Sequence, residues 1–164
     1  MKQLWSQLAL LLIGISFNAM AAAADADQMI SPARARSLFI LQCAGCHHVD
    51  GSGQPDSGVP SMRNTLGYFL GSAQGRAFLV QVPGARNATI TDAELTALTN
   101  WQLHNFSKDI LPADFVPYTT QEVTQARANP PSDVAATRAK ILQELQAKGQ
   151  LPSAAFEQLT TGLK

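Results

Sequence analysis

The chain holds two cysteines, three positions apart, with a histidine directly after the second: Cys43-Ala44-Gly45-Cys46-His47. No other stretch of the 164 residues restricts the fold as much, because it commits three reactive side chains to one short turn of backbone. Paired cysteines in an exported chain ordinarily form a disulfide. A C-x-x-C pair can also be a thioredoxin-type redox site. Both readings leave His47 as a coincidence. A third, C-x-x-C-H as a haem-attachment motif, uses all three residues.

The chemistry of that third reading is specific. Each thiol adds across one vinyl group of the haem, so two thioethers hold one edge of the porphyrin, and the spacing matches two vinyls on one edge. The residue after the second cysteine is then placed beneath the iron, where a neutral imidazole nitrogen can coordinate it. The expectation is one covalent haem c on Cys43 and Cys46, with His47 as an axial iron ligand.

Export is read from the N-terminus. Lys2 gives a positive start, and Leu8 to Phe17 (LALLLIGISF) is an apolar run too short to span a bilayer comfortably. Ala19-Met20-Ala21 or Ala22-Ala23-Ala24 would suit a signal peptidase, so residues 1–24 read as a signal peptide cleaved near Ala21 to Ala24. The alternative is a retained anchor, but no basic flank follows the apolar run. Loss of Lys2 would leave eleven basic against twelve acidic residues, a net charge of −1. That excludes a basic nucleic-acid footprint and gives little long-range steering by net charge. The expected location is the periplasm, with no membrane span after cleavage.

The remaining residues read as all-α. Ser31-Pro32 opens a helix that should run to about Cys43, with Ala35, Leu38, Phe39 and Gln42 along one side. From His48 to Asn64 the composition turns to Gly, Pro, Asp and Ser, a long loop of the functional kind. A second helix is expected from about Ser72 to Val82, with Phe78 and Leu79 buried and Pro83-Gly84 as its stop. Thr91-x-x-Glu94 is a capping box for a third, ending near Phe106, with Leu95, Leu98 and Trp101 as a core stripe. Residues 25–108 then form one domain, and 109–164 a C-terminal helical extension read as a separate module. Within it Thr119-x-x-Glu122 starts a short helix broken by Pro130-Pro131. Ser132 caps a longer one to about Lys148, with Val134, Ile141, Leu142 and Leu145 inward and Gly149 as its stop. A weak helix covers Ser153 to Leu159.

From about Ser31 to Phe106 the chain resembles the class I cytochromes c. It has Phe39 four residues before the first cysteine, Pro60 and Met62 spaced after His47, and ITDAELTALTNW from Ile90 to Trp101 as the last helix. The resemblance implies a helical fold around the haem in which the first and last helices cross, with Ala35 at the crossing and Phe39, Leu98 and Trp101 meeting beside the haem edge. It also implies that Pro60 offers its carbonyl to the second nitrogen of His47, which would fix the ring and raise its donor strength. Pro60 and Met62 would pack on the haem; an ordinary turn proline is the alternative for Pro60.

The family's methionine ligand has no counterpart. Val82 to Thr89 (VPGARNAT) contains none, and only Met29 and Met62 follow the signal segment. Met62 is a candidate second axial ligand, though methionine at an apolar contact more often fills space. His48 follows His47 too closely to reach the opposite haem face, and His104 is expected to face solvent. Asn87 could coordinate weakly. The extension could instead cover that face through Tyr118, and Arg76 or Arg86 could neutralise propionates.

The function these readings favour is a single-electron carrier, not an enzyme, working between a periplasmic dehydrogenase and an electron acceptor. Two others are kept: a gas- or peroxide-binding haem protein with an open sixth position, and a docking subunit whose C-terminal helices bind a larger enzyme.

Overall fold

Ser31 and Pro32 start the first helix as their chemistry requires. The Ser31 hydroxyl accepts from the Arg34 amide at 3.2 Å, and proline in the first turn forfeits no hydrogen bond. This helix, α1 (Pro32–Gln42), buries Ala35, Leu38 and Phe39, whereas Gln42, expected on the same side, is exposed. The computed structural model describes residues 30–161; the expected signal segment 1–24 and Met29 lie outside the described residues.

One helical turn, α2 (Ala44–His47), follows α1 directly. The loop after it is tied by an isolated antiparallel bridge between Gln54 and Val59, and a 3-10 segment runs over Leu66–Gly71. Then come α3 (Ala73–Gln81), capped by the Ser72 hydroxyl on the Gly75 amide at 3.0 Å, and α4 (Pro83–Arg86). Pro83 and Gly84 therefore end one helix and open the next turn, because proline is as suited to a first helical position as it is hostile to an interior one. The capping box of α5 (Asp92–Phe106) is complete: the Glu94 amide donates to Thr91 Oγ1 and the Thr91 amide to Glu94 Oε2, each at 3.1 Å.

The C-terminal segment contributes α6 (Thr120–Ala128), α7 (Val134–Ala147) and α8 (Ser153–Thr160). Asp133, not Ser132, caps α7, its Oδ1 accepting from the Ala136 amide at 2.8 Å. Gly149 stops α7 at φ +68°, where a side chain would be strained. The described residues are mainly helical, and no strand occurs among them. None of the described helices is long and apolar enough to cross a membrane.

Two apolar clusters hold these elements. In the first, α1 packs on α5, and Leu38, Phe39, Leu95, Leu98 and Leu103 are buried together with Tyr118, Val123 and Ala126. Residues from beyond position 108 thus complete the core around Phe39. The second joins α7 and α8 to α3 and the 3-10 segment through Phe69, Phe78, Ile141, Leu142, Leu145, Leu151 and Leu159. Phe69 and Phe78 stack with ring centroids 5.8 Å apart. The side chains of α7 expected to face inward do so: Ile141, Leu142 and Leu145 are buried, and Val134 packs against them. Burying each such side chain contributes about 1.5–3 kcal/mol.

Candidate cofactor-attachment site

The end of α1 and the turn of α2 place the three residues of the motif. The Cys43 amide donates to Phe39 O at 2.9 Å, and the His47 amide to Cys43 O at 2.9 Å, so cysteine, cysteine and histidine follow one another around a single helical turn. Both thiols are free; Cys43 is half-buried and Cys46 exposed. Burial, with the neighbouring Cys46 adding to it, pushes the Cys43 thiol up to about 11. His47 is half-buried, and desolvation lowers its pKa against the opposing pull of Pro60, which favours a neutral imidazole.

His47 Nδ1 lies 3.2 Å from the carbonyl oxygen of Pro60. With the proton on Nδ1 donated to that oxygen, Nε2 is left with its lone pair free. The Pro60 carbonyl is itself held by the loop. Gly53, at φ +68°, passes so close that a Cβ there would sit 2.5 Å from Pro60 O, and its amide donates to His47 O at 3.0 Å. Gly51, at φ +73°, lies against the Phe106 ring, where a Cβ would come within 2.8 Å. Both glycines are required by position and not merely by turn geometry. Gly53→Ala is expected to displace the Pro60 carbonyl and loosen His47, with about 1–3 kcal/mol of backbone strain added. A His47 Nδ1–H proton resonance that keeps its solvent protection in Gly53→Ala would contradict this.

Met62 is half-buried on the first cluster beside Cys43. Gln102 Nε2 reaches both sulfurs, at 3.9 Å from Cys43 Sγ and 3.9 Å from Met62 Sδ. The Met62 backbone is fixed by Ser107, whose buried hydroxyl donates to Met62 O at 3.2 Å and accepts from the Leu66 amide at 3.0 Å. Gln102, Ser107 and Gly53 have no motif of their own; only the Gly-rich composition of the loop hinted at the last. Phe39 meets Trp101 at 5.4 Å and Phe106 at 5.0 Å between ring centroids, so the aromatic contact implied at the helix crossing is present, with Phe106 as a third partner.

Other candidates are placed elsewhere. His48 is exposed at φ +58°, its Nδ1 3.0 Å from Ser52 Oγ, and His104 is exposed with its ring edge-on to Phe115. Tyr118 does not offer its hydroxyl to a ligand: it is buried and donates to Arg76 O at 2.7 Å, and burial raises its pKa. Arg76 forms a bidentate pair with Glu122, at 2.5 and 3.0 Å, while lying over the Tyr118 ring, so its guanidinium is occupied within the protein. Arg86 and Asn87 are exposed.

The segment between α4 and α5 is gripped from α6. The Arg127 guanidinium donates to Arg86 O at 2.8 and 3.2 Å, to Ala88 O at 3.0 Å, to Ile90 O at 3.1 Å and to Asp92 Oδ1 at 2.7 Å. Thr124 Oγ1 donates to the other Asp92 oxygen at 2.5 Å.

Two free thiols and an oriented neutral imidazole on one turn, beside a half-buried apolar wall, are a donor set that could hold a haem by two thioethers and one axial bond. Among the described residues no three His, Cys, Asp or Glu side chains converge to hold a bare metal ion. No protein-family model and no curated protein matches the chain.

Proposed function

We propose that this chain is an exported monohaem c-type cytochrome that carries single electrons in the periplasm, from a dehydrogenase to an acceptor. The observation that carries the reading is the setting of His47, with Nδ1 on the Pro60 carbonyl at 3.2 Å and two free thiols on the same turn. A disulfide would give the histidine no role. A redox thiol pair needs a lowered thiol pKa, and Cys43 is shifted the other way. When bound, the haem supplies a one-electron iron couple whose potential answers to axial ligation, burial and hydrogen bonding. The protein's part is to hold: Cys43 and Cys46 fix the porphyrin edge, His47 presents Nε2, Pro60 orients the ring, and Met62 packs beside Cys43. Electron carriage of this kind needs no substrate site, and the chain is read as a carrier and not an enzyme. The test is one set of optical spectra on the purified protein, oxidised and reduced. A c-type haem spectrum that cycles reversibly with a mild reductant and oxidant is the expected result, and a colourless protein from a haem-competent export host would sink the reading.

A second reading, a gas- or peroxide-binding haem protein, is favoured by one observation: His48 and His104 are exposed, against Ser52 and Phe115, and the Tyr118 hydroxyl is taken by the Arg76 carbonyl. Met62 decides between the two. Met62→Leu keeps the volume and removes the sulfur. If Met62 only packs, its spectrum and potential should match those of the wild type, and the reduced wild type should take up carbon monoxide. A change from low-spin to high-spin iron in the variant would identify Met62 as the ligand.

A further inference from the structure

We infer that Arg127 is a positioning residue for the haem site, through which the C-terminal segment sets the site's reduction potential and its access to small ligands; the inference rests on the haem reading above. One guanidinium, side chain 17% exposed, satisfies three carbonyls of the α4–α5 segment, those of the alternate residues Arg86, Ala88 and Ile90, together with the carboxylate at the start of α5. Such a fork is planar and permanently charged, so it holds its acceptors in one relative geometry in a way that lysine cannot reproduce. The gripped segment is not idle surface. Ala85 and Ile90 are half-buried and pack on the same apolar cluster as Cys43, Ala44 and Met62, and Ile90 is one of the residues whose carbonyl Arg127 holds. Residues 82–90 are bonded to the rest of the chain mainly through this one side chain and their own short turn. Releasing the clamp would therefore loosen one wall of the cluster that carries the attachment site. Water admitted there stabilises the more highly charged oxidised iron, which lowers the potential, and it opens a path for a diatomic ligand.

The experiment compares the holoprotein with Arg127→Lys, Arg127→Gln and, as a control in the second cluster, Ile141→Val. Midpoint potential, carbon monoxide association rate, melting temperature and amide exchange over residues 86–92 are read for each. Expected are faster exchange in both Arg127 variants, a lower potential and a several-fold faster association, with lysine closer to wild type than glutamine. Ile141→Val should lower the melting temperature without moving the potential or the rate. If exchange accelerates while potential and association stay at wild-type values, the clamp is structural only and the inference fails. It fails equally if the control shifts both properties in proportion to its loss of melting temperature. Should Arg127→Gln not accumulate, Arg127→Lys carries the comparison. A wild type without covalent haem would overturn the functional reading itself, and the inference with it.

Discussion

Replacing both Cys43 and Cys46 by alanine is expected to abolish retention of haem on the denatured chain, the largest change any pair of substitutions should produce. Thioethers are covalent, so they survive unfolding, and the wild-type chain should carry its haem through a denaturing gel. Either single variant keeps one thioether and should retain haem in reduced yield. The two positions differ in setting: Cys43 is half-buried next to Gln102, while Cys46 is exposed. On the denatured chain that difference disappears, so whatever haem each single variant has attached should stay bound through its remaining thioether. Removal of haem from wild type by acid and acetone would show that no thioether forms and would end the c-type assignment.

Truncating Trp101 or Phe39 to alanine should cost about 3–5 kcal/mol each, the usual range for a large aromatic side chain in a core. Phe39 is 1% exposed and touches both Trp101 and Phe106, which contact each other edge to face at 5.5 Å. The crossing of α1 and α5 is centred on this trio, and Cys43 lies one turn beyond Phe39. A domain of this size has only about 5–15 kcal/mol of stability in total. Haem-loaded yield should fall sharply, and the midpoint of denaturant unfolding with it. The Phe39→Ala, Trp101→Ala double variant should lose less than the sum, because the two rings share contacts. Unchanged unfolding midpoints in both single variants would place the energetic centre of the fold elsewhere.

Much of the helical scaffold was legible because its signals are local. Ser31, Ser72 and Thr91 each cap the helix their position predicts, since a hydroxyl can satisfy an orphan amide two or three residues on whatever the rest of the chain does. Ser132, the cap expected for α7, gives way to Asp133 because both side chains can accept from an orphan amide, and only the path of the chain out of Pro130-Pro131 selects one. The 3-10 segment Leu66–Gly71 left no periodic mark, yet Phe69 within it anchors the second cluster.

The sequence alone determined the chemistry that Cys43, Cys46 and His47 can perform, because their spacing is covalent, and it determined that the loop after them would be built from glycine. The resemblance already implied the contact of Pro60 with His47, but why Gly53 must lack a side chain and which residue guards Met62 depended on segments up to several dozen positions apart meeting in space. The same holds for the C-terminal segment. Its helices were readable, but only packing could show that Tyr118 and Val123 complete the core around Phe39, that Glu122 takes the arginine offered to a propionate, and that Arg127 grips residues 86–92. Periodicity and caps report what a residue does to its neighbours in sequence; long-range contacts arise when buried polar groups must find partners, and those partners are chosen by the fold.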